Sequence, residues 1–361
     1  MPERLELPES LRAVHVFIPY EIQNGREVSP EYDTPEFRTQ LRHWFEVLNL
    51  SWTWCPVTLG NAREIVTGIH RMPERSCMVF NLCDGNEEDG YPGLTVTRAL
   101  EEAAIAFTGA GSHFYGNTNS KLRMKDLLSA SGVKTPGYEY IADPVRDVPR
   151  ASARLGYPLI VKPIFSAACF GICHGSVVHD DDSVMAQVAR LRTGLHGFRF
   201  PELFVEHFVI GREFTALVRG AADWDRGLRV HPPVERVFDK TLPPELRFLT
   251  YERYWEKYDE ETPLPGRAPL YRYASVSAEL GERLSEVCRS AYVALGGTGY
   301  ARIDLRLEAN TDAIHVIEVN ANCGLSDDGL TSVSWILKLS GKPFAALLAE
   351  LFVDGWHRRN T

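Results

Sequence analysis

The sequence predicts an α/β protein of more than one domain, and three features carry that prediction. Its 361 residues suffice for two or three domains, and with 44% of them apolar each can bury a real core. In the first third, apolar runs of strand length alternate with helix-spaced segments, the pattern of a small parallel α/β domain. Residues 302–320 then read as two strands around a polar turn, an antiparallel feature later in the chain.

Taken in order, "AVHVFIPY" (13–20) is a buried first strand, "FRTQLRHWFEVLNL" (37–50) has helical spacing and "CMVFNL" (77–82) is a further strand. "CDGNEEDGYPG" (83–93) is a loop of turn formers and acids, read as a solvated turn, and "TVTRALEEAAIAFTG" (95–109) reads as a helix. In "NSKLRMKDLLSASGVKTPGY" (119–138), Asn119 or Ser120 caps a helix that stops at Gly132. Lys121 and Lys125 share one face of it and, taken alone, read as exposed helix charges. "YPLIVKPIF" (157–165) is a strand entering the small-residue segment 166–171, and "LFVEHFVIGREFTALVRG" (203–220) is two strands broken around Gly211. Residues 221–273 are charged and proline-rich with little periodicity, so long functional loops are expected there. Val276, Leu280, Leu284, Cys288 and Ala291 mark an amphipathic helix before the hairpin, and helical stretches finish the chain.

The formal charge of −9, with no basic stripe, argues against nucleic acid or an anionic membrane as partner. No apolar run is long enough for a signal peptide or a membrane span. Seven cysteines in no paired pattern suit a reducing compartment, and no histidine–cysteine cluster suggests structural zinc. A soluble cytoplasmic enzyme is the expectation.

The hairpin carries the chemistry. Ile303, Leu305 and Leu307 line one face of its first strand, answered by Ile317 and Val319 from the second. Arg302, Asp304 and Arg306 share the other face with Glu318 and Asn320. An antiparallel register with Asp304 opposite Glu318 also sets Arg302 opposite Asn320. Two carboxylates across a ladder repel unless a cation sits between them. Asp304, Glu318 and Asn320 offer oxygen ligands only, which suits Mg²⁺ and, with it, a nucleotide triphosphate. A solvated polar face with cross-strand salt bridges is the plainer alternative.

"RID…EVNANCG", with "VKP", "VEHFVIGREFT" and "NSKLRMK", resembles the ATP-grasp superfamily, most closely its D-alanine–D-alanine ligase branch. The likeness runs from about residue 77 to about 330, four short motifs in the family's order. It implies three α/β domains, over 1–118, 119–209 and 210–361, with ATP held between the central and C-terminal ones. By resemblance, Lys121 and Lys162 reach the ATP phosphates. Glu206 with the Phe208–Val209 backbone reads adenine, and Glu213 holds the ribose. Asp304, Glu318 and Asn320 hold Mg²⁺, with Mn²⁺ as a substitute. Arg302, with the backbone near Gly324, stabilises the acyl phosphate and tetrahedral intermediate, and Lys257 is a further phosphate lysine.

Three departures concern the substrates. The family's Gly-Ser-Ser-type loop is Ala167-Ala168-Cys169 here, leaving backbone amides of Ala168 and Cys169 to cradle phosphate without hydroxyl contacts. The family's carboxylate-reading serine falls at Gly329, beside Asp327 and Asp328, which either favour an amine-bearing substrate or face solvent. The N-terminal glycine-rich turn and its glutamate have no clear counterpart, Glu21 being the nearest acid. Cys169 and Cys323 lack a partnered histidine and read as space-fillers.

The expected activity is an ATP-dependent carboxylate–amine ligase working through an acyl phosphate, with ADP and phosphate released. Its partners would be a small carboxylate and an amine, in specialised small-molecule biosynthesis, and the resemblance allows a homodimer. A true D-alanine–D-alanine ligase, an inactive ATP-binding regulator and a modifier of protein C-termini are the alternatives.

Overall fold

The computed structural model of the chain describes residues 7–72, 76–85, 87, 90–195, 197–222, 227–255 and 270–358. The first strand is β1 (Ala13–Pro19), followed by a small hairpin of β2 (Glu21–Gln23) and β3 (Arg26–Val28). Then come α1 (Pro35–Leu48), β4 (Ser51–Val57), α2 (Ala62–His70), β5 (Cys77–Asn81) and α3 (Leu94–Glu102). β1 lies between β4 and β5, parallel to both, as the alternating pattern predicts. In α1, Thr34 caps the first turn by accepting from the Phe37 N–H, and Phe37, Leu41, Trp44 and Phe45 make one buried face. The helix expected over 95–109 is shorter. It stops at Glu102, and Val79 of β5 instead hydrogen-bonds Ala106 and Thr108, because an extended 105–108 can bury Phe107 beside the sheet.

α4 (Ser112–Asn119) and α5 (Lys121–Ala130) follow, with Ser120 capping α5. A second sheet is built from β6 (Tyr138–Ile141), β7 (Leu159–Pro163), β8 (Val177–Val178) and β9 (Leu203–His207), in the antiparallel order β6-β9-β7-β8. α6 (Pro144–Leu155) and α7 (Asp181–Thr193) cover it, burying Val148, Val188 and Leu191 against Leu159, Val161 and Val205.

The third sheet is the largest. It holds β10 (Gly211–Ala221), β11 (Arg229–Val230), β12 (Val234–Phe238), β13 (Tyr271–Ser275), β14 (Thr298–Glu308) and β15 (Ile314–Ala321), in the order β13-β12-β10-β14-β15 with β11 also on β10. The short α8 (Tyr251–Trp255) precedes β13, and α9 (Ala278–Ala294), α10 (Ser332–Ser340) and α11 (Phe344–Arg358) complete the chain. Segment 221–273 is therefore not simply loop. β12 and β13 are strands, but Glu235 and Arg236 of β12 pair with Arg212 and Glu213 of β10 rather than facing water, which hides the pattern.

One face of this sheet carries Phe214, Ile303, Leu305 and Val316, packed on α5 and α9 through Met124, Leu128, Leu284 and Cys288. Another core joins Val16, Ile18 and Phe80 of the N-terminal sheet to Phe344, Leu348 and Phe352 of α11. The opposite face of the large sheet is polar around Glu213, Arg302, Asp304 and Arg306, while Leu217, Val234 and Tyr300 on it join the N-terminal core. Among the described residues no helix is long and apolar enough to cross a membrane.

Candidate active site

Cross-strand pairing arranges the polar face in rows. Arg302 stands opposite Asn320, and Asp304 opposite Glu318, the register expected from the hairpin. Beyond Asp304 a bulge shifts the pairing, so Leu305 meets Val316. Ile317, expected in the apolar row, instead lines the cavity, and Val316 takes its place in the core. A third row runs Tyr273, Arg236, Glu213, Arg306 and His315 across five strands.

This face closes one side of a cavity. β7, β9 and the segment 166–172 form another side, and Glu31 and Asp84 reach it from the N-terminal part. Arg302, Lys162, Gly324, Lys121, Glu206, Phe208, Val209, Glu213, Ala168, Cys169, Asp304, Glu318 and Asn320 all line it. Thirteen side chains and backbone segments far apart in sequence thus meet in one place; Lys257 lies outside the described residues.

Asp304, Glu318, Glu206 and Glu213 each face a cation. Arg302 Nε lies 3.1 Å from both Asp304 oxygens and its Nη2 3.0 Å from Oδ2, while Asn320 Nδ2 donates to the same oxygen at 3.1 Å. Burial alone would push the Asp304 carboxyl up, but Arg302 and then Arg236 hold it below the usual carboxylate range. Lys121 sits 2.9 Å from Glu318 and also donates to the Ser166 carbonyl and, at 3.3 Å, to its hydroxyl. Glu206 is buried between Lys162 and Lys125, the latter at 2.6 Å. Glu213 takes Arg236 on Oε1 and Arg306 on Oε2, the second at 2.9 Å.

Several readings change. Lys125 is not an exposed helix charge: it is 1% exposed, because Glu206 arrives from β9 to neutralise it. The Ser166 hydroxyl, one position before the altered loop, accepts from Lys121 at 3.3 Å. Of the Phe208–Val209 backbone, the Phe208 N–H already donates to Pro158 and the Val209 carbonyl accepts from Arg306. Asp84 belongs to the cavity wall, accepting from Tyr32, rather than to a solvated turn. Glu21 bonds Tyr91 at 2.7 Å and does not line the cavity. Asp327 and Asp328 face solvent, Asp328 turning its carboxylate to the N–H groups of Leu330 and Thr331.

Ala168 and Cys169 both hold a left-handed backbone, with φ of 47° and 63°, folding their loop tightly over the cavity. Burial pushes the thiols of Cys169 and Cys323 up to about 12, so neither is a ready nucleophile at neutral pH. The residues that sequence reasoning passed over are Arg236, Tyr271 and Tyr273, hidden in the segment read as loop, and Glu31, Thr331 and Ser332. Arg306 was visible on the polar strand face, but its partners were not.

The oxygen-only set Asp304, Glu318 and Asn320 fits a hard divalent cation. All three face the cavity, and both carboxylates draw protein cations to the spot a metal would neutralise.

The family model described as "D-ala D-ala ligase C-terminus" matches residues 127–353. The D-alanine–D-alanine ligase of Desulforudis audaxviator is 29% identical over 245 residues, 67% of this chain and 70% of that one. An uncharacterized protein of Sinorhizobium fredii is 28% identical over 286 residues, 79% of this chain and 76% of that one. Among solved structures, the D-alanine–D-alanine ligase of Bacillus anthracis superposes with a TM-score of 0.65 at 19% identity, covering 97% of this chain and 99% of that one. The VanG D-Ala:D-Ser ligase of Enterococcus faecalis gives 0.64 at 18% identity, covering 96% and 99%. These two likenesses are of fold.

Proposed function

The chain belongs to the ATP-grasp ligases of the D-alanine–D-alanine ligase branch, and on that premise we propose that it joins two small amino acids with release of ADP and phosphate. The observation that carries this reading is the meeting of Lys121, Lys162, Arg302, Asp304, Glu318 and Asn320 in one cavity. Relatives from Desulforudis audaxviator and Ectopseudomonas mendocina are D-alanine–D-alanine ligases, which favours a ligase of that kind over the specialised biosynthesis expected from the loops. The exposed Gly329, where the family carries its carboxylate-reading serine, favours a second reading in which the amine substrate differs. The domain limits at 118/119 and 209/210 belong to the proposal, supported by the separate sheet and core of residues 138–207.

In this reading a carboxylate oxygen of the first substrate attacks the γ-phosphorus of ATP, and the bond to ADP breaks. The amine of the second attacks the resulting acyl carbon. A carbon–nitrogen bond forms, phosphate leaves with the former carboxylate oxygen, and the amine loses a proton. Lys121 and Lys162 orient the phosphates as point charges. Arg302 and the Gly324 backbone face the oxygen on which charge develops, and the backbone of Ala168 and Cys169 closes over the phosphates. Mg²⁺ held by Asp304, Glu318 and Asn320 would neutralise phosphate charge.

The test is ADP release from purified protein with Mg²⁺-ATP and a panel of amino acids and simple carboxylates, offered singly and in pairs. A required pair and a new amide mass support the reading; AMP and pyrophosphate in place of ADP would overturn it. Asp304→Asn is expected to cut turnover by about a hundredfold or more while the melting temperature holds. Unchanged turnover would sink the metal assignment.

A further inference from the structure

Arg306 stands in the third row between Glu213 and His315 and is 4% exposed. Its Nη1 donates to the Val209 carbonyl at 2.8 Å, and its Nη2 donates to Glu213 Oε2 at 2.9 Å and to the Arg247 carbonyl. Its guanidinium lies 4.6 Å from the centre of the Phe208 ring. One side chain therefore ties together β14, the crossing from β9 to β10, an acid on β10 and the loop before α8. The same parts make the apolar end of the cavity, where Phe208 meets Phe248 edge-on at 5.5 Å and both pack beside Ile160.

The acceptors are spread over Nη1 and Nη2, farther apart than the single nitrogen of a lysine reaches, and an apolar side chain offers no donor. A planar fork of five N–H groups can serve them all without losing its charge. Without it, the buried Val209 carbonyl and the Arg247 carbonyl would lose this donor, and Glu213 would keep Arg236 alone, free to turn.

We propose that Arg306 is the positioning residue of the nucleotide pocket, holding the hinge carbonyl, the 247 loop and Glu213 so that base and ribose meet a preformed wall. The proposal rests on the reading that ATP occupies this cavity. Arg306 acts through the groups it holds and not on the reacting phosphate. Its loss is therefore felt in ATP affinity, and neither in the affinity for the amino-acid substrates nor in turnover at saturating ATP.

The experiment compares the full chain with Arg306→Met and Arg306→Lys. Calorimetry gives the Kd for Mg²⁺-ATP, steady-state kinetics give KM for ATP and for the amino acids separately, and a melting curve checks folding. Arg306→Met is expected to weaken ATP binding about tenfold to a hundredfold, with kcat within about twofold. Arg306→Lys should recover part of the loss. A 2′,3′-dideoxy nucleotide should lose less affinity in Arg306→Met than in the unaltered chain, because Glu213 is no longer aimed. Should Arg306→Met fail to fold, Arg306→Lys alone decides, since an unchanged KM for ATP in a folded lysine variant overturns the proposal. So does equal ATP affinity in all three proteins. Failure of the unaltered chain to bind Mg²⁺-ATP would instead overturn the nucleotide reading itself.

Discussion

Glu206 carries a carboxylate to a place that water barely reaches, 2% exposed, with Lys125 and Lys162 on its two oxygens. Burial alone would push its carboxyl up, but the two ammonium groups outweigh it and hold it down to about 2, against an ordinary 4.5. The sign follows directly. A folded value below the unfolded one stabilises the protein above pH 4.5, and that contribution drains away as pH falls toward about 2. Glu206→Gln leaves two buried ammonium groups uncompensated and is expected to cost about 3–5 kcal/mol at neutral pH, read by urea denaturation. The gap between variant and parent should narrow through that acid window. A gap that stays constant there would mean that Glu206 is not the ionised partner.

At the scale of elements, β14 is shaped by two departures from regularity. The bulge after Asp304 frees Ile317 for the cavity and gives Val316 to the core, without disturbing the pairing of Asp304 with Glu318. Gly299, with φ of 76°, lets the strand begin against the segment between α3 and α4: a Cβ there would lie 1.8 Å from the Gly109 carbonyl oxygen. Asn322 at the end of β15 accepts from the Ala110 N–H at 2.6 Å, and Arg358 of α11 donates to Gly109 at 2.6 Å. That segment is thus clamped from three elements before it enters α4 and α5, which carries Lys121. Gly299→Ala is expected to cost about 1–3 kcal/mol and lower the melting temperature. An alanine variant that melts like the parent would show that Gly109 yields easily and that the clamp is slack.

For the molecule as a whole, α11 is the tie. It lays Phe352 against Phe45 and Phe80 of the N-terminal part and sends Glu350 and Asp354 to Arg219 of β10, at 3.0 and 2.8 Å. Lys342 also reaches Glu350, at 2.5 Å, and His231 stands 3.8 Å from it. Burial, and then Lys342, push His231 down to about 4 from 6.5, so it is held neutral in the folded chain. The unfolded chain takes up a proton there first, so stability is intact above pH 6.5 and is lost as pH falls toward about 4. That interval corresponds to about 3 kcal/mol at most. His231→Asn should flatten the fall of stability across the window, followed by thermal unfolding at a series of pH values; an unchanged slope would place the acid sensitivity elsewhere.

What the sequence determined by itself was whatever depends on spacing along the chain. The parallel start, the capped helix at Ser120 and the strand pair with Asp304 across from Glu318 all follow from local periodicity and short motifs. Tertiary structure alone decided the partners. Lys125 looks exposed until Glu206, 81 positions away, buries it, and Arg236 looks like loop charge until Glu213 and Tyr273 flank it. A charge is readable as buried only once its counter-charge is placed, and that placement is made by strands whose register no local window contains.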